Sequence, residues 1–75
     1  MEKESQAMKI LRYMEEFGSI TPVDALREFG CMRLGARIWD LKNKYGYIIR
    51  TEIEAAVNRF GETIRYARYY LVKGA

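Results

Sequence analysis

Residues 30–49, Gly-Cys-Met-Arg-Leu-Gly-Ala-Arg-Ile-Trp-Asp-Leu-Lys-Asn-Lys-Tyr-Gly-Tyr-Ile-Ile, contain two stripes of side chains with helical spacing, followed by a run with strand character. The apolar stripe, with spacing i, i+4, i+7 and i+11, consists of Leu34, Ile38, Leu41 and Tyr45. A second stripe, called the cationic stripe below, has the same spacing one residue earlier and consists of Arg33, Arg37, Asp40 and Lys44. Residues 32–45 are therefore predicted to form a helix that turns one face to a core and a largely cationic face outward.

A helix that is entered through a glycine turn and left through a glycine into a β-run is typical of a helix that reads duplex DNA. Arg33 and Arg37 are one turn apart near its start, the part that enters the major groove, where a guanidinium can bond guanine O6 and N7 together. Arg37 is the first candidate for base reading, whereas Arg33 either reads a base or clamps a phosphate. Asp40 either accepts a hydrogen bond from cytosine N4 or holds Arg37 in place.

Other candidate DNA contacts lie at the end of this helix, in the downstream hairpin and upstream. Lys42 and Lys44 are equally well explained as cations at a helix C-terminus and as phosphate contacts. Arg59 at the predicted hairpin tip, followed by Arg65, can track the backbone or reach into a minor groove, although solubility also favours a charged tip. Thr21, with the free N–H groups of the helix that it begins, can hold a phosphate, although capping alone accounts for this residue.

Upstream of residue 32 the sequence predicts two more helices. Ser5 can cap the first, Gly18 ends it, and its inward stripe consists of Ala7, Ile10, Leu11, Met14 and Phe17. Residues 19–20 are long enough only for a strand stub. The start of the second helix is Thr21-Pro22-Val23-Asp24, with a capping threonine, a proline at the first helical position and an acid near the positive end of the helix dipole.

The second and third helices are separated by about three residues, which forces them to cross at a steep angle as in a helix-turn-helix. Gly30 ends the second helix, and Ala25 is small enough to let the third approach closely. We expect the inward residues of the second helix to be Val23, Leu26 and Phe29. Cys31, in the turn, is expected to be a small buried filler, and Trp39 is expected in the core under the hairpin or the first helix.

After Gly46 the hydrophobic period changes to two, which predicts a β-hairpin. On the first strand, Ile49, Thr51 and Ile53 alternate with Arg50, Glu52 and Glu54. Residues 58–62 form the turn, and residues 64–72 return with Ala67, Tyr69 and Leu71 on one face and Tyr66, Arg68 and Tyr70 on the other. The order helix, strand stub, helix, helix, strand, turn, strand predicts an α+β winged helix-turn-helix domain of three helices plus a C-terminal hairpin wing.

Several short motifs between Gln6 and Leu71 strengthen this interpretation. They are Gly18-Ser19-Ile20-Thr21-Pro22, Ala25-Leu26, Phe29-Gly30-Cys31-Met32-Arg33-Leu34, Arg37-Ile38, Asp40-Leu41, Arg65-Tyr66-Ala67 and Tyr69. Through them the chain resembles a small family of phage and prophage helix-turn-helix proteins. The resemblance covers most of the chain and implies the winged fold, DNA binding and a role as a small phage-type or bacterial transcriptional regulator. The bulky segment Tyr45-Gly46-Tyr47 departs from the family, in which the recognition helix usually runs straight into the strand.

Composition and charge set the remaining expectations. Seventy-five residues with 49% apolar and 31% charged content make one globular domain over residues 1–75, with a core region of about residues 6–72. The net charge of +3 is uneven, because residues 1–30 carry −2 and residues 31–75 carry +5. A basic half that begins at the candidate recognition helix suits double-stranded DNA, bound by one copy or by a homodimer on repeated half-sites.

The same composition argues against other classes of protein. With no histidine, one cysteine, no glycine-rich phosphate loop and no paired carboxylates in an apolar setting, we expect no enzyme, cofactor, metal site or small-molecule substrate. A single cysteine, no signal-like apolar run and no span of about 20 apolar residues predict a cytoplasmic protein outside the membrane. The alternative function is a protein-interaction module that binds through an aromatic face of Tyr66 and Tyr70 together with Trp39.

Overall fold

A computed structural model of the protein describes residues 5–72, which form three helices and three strands. In chain order these are α1 (Gln6–Phe17), β1 (Ser19–Ile20), α2 (Pro22–Phe29), α3 (Leu34–Asn43), β2 (Ile48–Val57) and β3 (Thr63–Val72). The strands form one antiparallel sheet in the order β1-β3-β2. The predicted α+β architecture of three helices with a C-terminal hairpin is confirmed. The predicted strand stub is β1, which adds a third strand to the two strands of the hairpin.

The β2–β3 hairpin, called the wing below, is longer than the body of the protein can cover. Its strands pair over ten residues each, from Ile48 opposite Val72 to Val57 opposite Thr63. β1 pairs with β3 only at Tyr69 and Tyr70, next to the helices. Farther out, Ala56 and Ile64 line a groove with the start of α2, and the tip of the wing projects beyond them in a molecule whose longest dimension is 45 Å.

The core lies between the helices and the inner half of the sheet. Its buried apolar residues are Ala7, Ile10, Leu11, Met14, Ile20, Ala25, Cys31, Leu34, Ile38, Leu41 and Ile49. The predicted inward stripes of α1 and α3 are confirmed at seven of their nine positions, namely Ala7, Ile10, Leu11, Met14, Leu34, Ile38 and Leu41. Cys31 is the predicted buried filler. Tyr69 and Leu71 of β3 are partly buried and pack against this cluster.

Local capping sets where the first two helices begin and end, as predicted. The Ser5 hydroxyl accepts a hydrogen bond from Met8 N at 3.2 Å. Thr21 and Asp24 form a reciprocal capping box, with the Thr21 hydroxyl accepting from Asp24 N at 3.2 Å and Thr21 N donating to the Asp24 carboxylate at 3.0 Å. Gly18 and Gly30 end α1 and α2 with φ of 88° and 64°, a region that non-glycine residues enter at a cost.

Several apolar residues that the sequence predicts to face inward are exposed instead: Phe17, Val23, Leu26, Tyr45 and Ile53. The short helix α2 meets the core through Ala25 alone among its fully buried residues, so its other apolar side chains stay at the surface; Phe29 is half-buried. α3 ends at Asn43, two residues before the predicted end, and Tyr45 therefore leaves the helical stripe. Ile53 lies in the outer half of β2, beyond the cover of the helices.

Candidate nucleic-acid interface

The open side of α3 is the surface on which the predicted DNA contacts converge. Leu34, Ile38 and Leu41 anchor one side of this helix in the core, which leaves the opposite side to solvent. Arg33 is the N-cap residue, and its exposed side chain makes no hydrogen bond to the helix end. Within residues 5–72 no acidic group lies at ion-pair distance from Arg33. Its guanidinium is thus available at the start of α3, where recognition helices contact bases.

Asp40 links the rest of the cationic stripe. Its carboxylate lies 3.5 Å from Arg37 Nε and 4.0 Å from Lys44 Nζ, so one acid bridges two bases along α3. Of the two roles considered for Asp40, holding Arg37 in place is the one for which the structure shows a contact. Arg37 is more constrained than expected, because its side chain is only 36% exposed and its buried Nε makes no hydrogen bond.

Trp39 is exposed, and its predicted place in the core is wrong. The physical reason lies in the neighbouring strand, from which Tyr69 approaches α3 at Gly35: a Cβ added there would lie 3.9 Å from the Tyr69 hydroxyl. Trp39 is displaced from Gly35 by about 40° around the helix, away from the core, and the strand leaves it 58% exposed. Asn43, also on the open side, donates from its amide to Trp39 O at 3.0 Å.

Trp39 and Asn43 are thus exposed groups of α3 that the sequence pattern did not predict to contact DNA. At about 100° per residue, both lie on the side of the helix opposite Leu34, Ile38 and Leu41. This position is visible in the sequence and could have identified them as surface residues.

One face of the wing is turned toward α3 and the other is turned away from it. Odd-numbered residues of β3 share the face on which Tyr69 reaches α3, and Arg65 belongs to this set by alternation. Tyr66, Arg68 and Tyr70 belong to the other face. The aromatic surface of the alternative function is therefore divided, since Trp39 lies on the α3 side and the half-buried Tyr66 and Tyr70 lie on the opposite side.

The remaining candidates occupy positions that leave their roles open. Lys42 is exposed in the last turn of α3, and Arg59 is exposed at the wing tip, both as the sequence predicts. Thr21 is buried, and its hydroxyl is engaged in the capping box. Pro22 has no N–H, and the amides of Asp24 and Ala25 donate to Thr21, so Val23 N is the group at the start of α2 that remains for a phosphate.

Arg68 attaches the wing to the body of the protein. Its Nε donates to Glu54 at 2.8 Å across the hairpin, and its Nη1 donates to the Ser19 hydroxyl of β1 at 3.0 Å. Hydrogen bonding from Arg68, and then from Tyr66, lowers the pKa of the Glu54 carboxyl. Arg50 on the same face pairs with Glu52 at 3.0 Å and stacks 4.7 Å from the centre of the Tyr70 ring. These cations are occupied within the protein, unlike Arg33.

The Glu54–Arg68 pair predicts a pH dependence of the wing. Because the pKa of Glu54 is lowered on folding, the pair stabilises the fold above the ordinary glutamate pKa of about 4.3, and this contribution is lost as the pH falls through the lower folded value. We expect the pKa of Glu54, followed by NMR of its carboxyl carbon, to rise in an Arg68→Met variant. The Glu54→Gln variant identifies the resonance, and an unchanged pKa in Arg68→Met would contradict the assignment.

Two structural features are absent from residues 5–72. In that range no helix has the length and apolar character needed to cross a membrane. The same range contains no group of three or more His, Cys, Asp or Glu side chains placed to hold a metal ion.

Comparison with known proteins agrees with the element order and the sheet. A family model described as a winged helix-turn-helix domain matches residues 5–74, which is nearly the whole chain. No curated protein and no solved structure matches the chain. The match spans all three helices and both strands of the wing. The protein belongs to the winged helix-turn-helix domain family.

Proposed function

We propose that this protein binds double-stranded DNA, with α3 in the major groove and the wing tip against the neighbouring backbone, as a small phage-type or bacterial transcriptional regulator of the cytoplasm. The observation that carries the proposal is the unpaired, exposed Arg33 at the start of α3, on the same helix as Arg37 and Lys44. Membership of the winged helix-turn-helix family supports it independently.

The dimensions of the two contacting elements suit a duplex. An α-helix with its side chains is about 10–12 Å across and the major groove is about 12 Å wide, so the open side of α3, about 15 Å long, can enter the groove. A ten-residue hairpin is about 33 Å long, and its tip at residues 58–62 lies beyond Ala56 and Ile64, the outermost strand residues that share a groove with the start of α2. The wing tip can therefore reach a backbone or minor groove next to the one that holds α3.

The proposed mechanism is electrostatic attraction of the basic half of the chain, followed by a few base contacts. Arg37 and Arg33 read base edges or, for Arg33, clamp a phosphate, while Asp40 fixes the direction of Arg37. Phosphate contacts come from the remaining candidates, Lys42, Lys44, Arg59, Arg65 and the start of α2 at Thr21.

A single domain of this size offers little contact area, so we propose that two copies occupy repeated half-sites. The sheet supplies a route for pairing, because β2 is the longer of its two edge strands and, within residues 5–72, has one side without a neighbouring strand. Sedimentation of the protein–DNA complex reports the number of copies.

The salt dependence of binding tests the proposed function. A duplex is first selected from a random pool, and its affinity is then followed by fluorescence anisotropy at increasing salt. With about five phosphate contacts, the slope of log affinity against log salt is expected near −4.5, a loss of about 500-fold between 50 and 200 mM salt. Failure to select any duplex, or a flat salt response, would contradict the proposal.

A further inference from the structure

The tip of the wing is held rigidly by one asparagine. The Asn58 side-chain oxygen accepts hydrogen bonds from Phe60 N at 2.9 Å and from Glu62 N at 3.0 Å, and its amide donates to Glu62 Oε1 at 3.1 Å. Two backbone bonds close the same turn, Asn58 N to Glu62 O at 2.9 Å and Gly61 N to Asn58 O at 3.0 Å. Five hydrogen bonds within five residues make this a preorganised turn.

This turn presents an aromatic side chain to solvent. Phe60 is 77% exposed, and its ring lies 5.6 Å from the guanidinium carbon of Arg59. A phenylalanine side chain stabilises a fold by being removed from water, so one that is exposed on a rigid turn contributes little to the stability of the domain. The fold holds Phe60 away from the core, beyond the strand residues Ala56 and Ile64 that share a groove with α2.

Phe60 does not belong to a larger apolar patch. The nearest exposed apolar residues on the two strands are Val57 and Ile64, and alternation along the paired strands places them on opposite faces of the wing. At the apex there is one aromatic ring beside one arginine. A protein partner is usually met by a contiguous apolar area, which the apex does not offer.

We propose that Phe60 is a wedge that inserts between two base pairs from the minor groove and kinks the bound duplex, with Arg59 lying in the groove beside it. Apolar side chains on minor-groove binders unstack base steps in this way, and arginine is favoured by the negative potential of a narrow minor groove. The preorganised turn reduces the entropy lost when the ring is inserted. This inference rests on the proposed DNA binding and adds DNA bending to it.

The experiment measures bending and unstacking on the selected duplex. Donor and acceptor dyes at the two ends report the bend by energy transfer, and 2-aminopurine placed at successive positions under the wing tip reports local unstacking. The native protein is expected to shorten the end-to-end distance and to brighten 2-aminopurine at one step. The Phe60→Ala variant is expected to lose both signals and about tenfold in affinity, since it removes the contact between the ring and the unstacked bases.

Two further variants separate insertion from general loss of apolar surface. Phe60→Leu keeps an apolar wedge and is expected to retain most of the bend. Val57→Ala removes an exposed apolar side chain from the strand beside the turn and is expected to leave the bend unchanged. Because both positions are exposed, thermal unfolding followed by circular dichroism is expected to be the same for all three variants and the native chain.

The outcomes distinguish this inference from the proposed function. If the native protein binds the duplex and Phe60→Ala leaves both the bend and the 2-aminopurine signal unchanged, the wedge is wrong and DNA binding by α3 still stands. In that case Phe60 would instead be assigned to contact with a protein partner. If no duplex is bound by the native protein, the proposed function fails and the wedge fails with it.

Discussion

Replacing Arg33 and Arg37 together with alanine is expected to weaken binding to the selected duplex by at least about 30-fold. Each arginine that bonds a guanine with two hydrogen bonds discriminates by about 1–3 kcal/mol, and tenfold in affinity corresponds to about 1.4 kcal/mol. The two residues are one helical turn apart and share no described contact other than through α3, so their losses should largely accumulate. Neither residue belongs to the buried cluster, and the variant should remain folded.

The single variants assign the two roles. Arg37→Ala is expected to cost about 1–3 kcal/mol and to relax the preference at one base pair of the selected site. If Arg33 clamps a phosphate, Arg33→Ala weakens binding to all sequences alike and reduces the salt slope by about 1; if it reads a base, it relaxes a second position.

The matched control is Lys9→Ala, which removes one positive charge from the exposed side of α1. Lys9 lines a surface groove with residues of α1 and the end of α2, away from the open side of α3. We expect a small loss of affinity with the base preference intact. Equal losses in Lys9→Ala and in Arg37→Ala, which each remove one charge, would show that only net charge matters, and the assignment of α3 to the major groove would be wrong.

The elements that could be predicted from the sequence are those fixed by local interactions. The capping box of Thr21 and Asp24 uses groups three residues apart, and so it is visible in the sequence itself. The stripe of Leu34, Ile38 and Leu41 needs only the period of the helix. The hairpin follows from alternation and a turn segment, and its register then follows from pairing.

Burial could not be predicted where it depends on which element lies opposite. The periodicity of α2 selects a face but does not say how much of that face a neighbour covers, and Val23 and Leu26 remain exposed. Trp39 is exposed because Tyr69, the strand residue that approaches this side of α3, lies near Gly35, which is one turn away from Trp39 and closer to the core. Alternation in β2 continues past the helices, and Ile53 therefore has the pattern of a core residue without a core beside it.

In the candidate site, too, the features set by local spacing could be predicted and those set by side-chain conformation could not. That Arg33 and Arg37 lie on one helix near its start follows from spacing alone. The bridge from Asp40 to both Arg37 and Lys44 depends on side-chain conformations that spacing permits but does not fix. The rigid presentation of Phe60 depends on hydrogen bonds from the backbone of the turn to the Asn58 side chain. The composition of residues 58–62 predicts a turn but not these bonds.

Two leucines in helices allow the packing of the fold to be tested directly, because the sequence predicts both to face inward and the structure buries only one. Leu41 in α3 is fully buried and Leu26 in α2 is 52% exposed. Leu41→Ala is expected to lower the free energy of unfolding by about 2–5 kcal/mol, through lost transfer energy and a residual cavity. In a domain of this size each kcal/mol corresponds to about 4–8 °C in Tm, so a fall of at least about 8 °C is expected.

Leu26→Ala is the matched control, since both substitutions exchange the same side chains within a helix and any change in helix propensity is shared. Its effect should stay within about 1 kcal/mol, because half of the side chain is already in water in the folded state. Thermal and urea unfolding followed by circular dichroism measure both variants. Losses of equal size would mean that α2 turns Leu26 into the core, in which case the crossing of α2 and α3, and with it the presentation of Arg33, would differ from the arrangement described above.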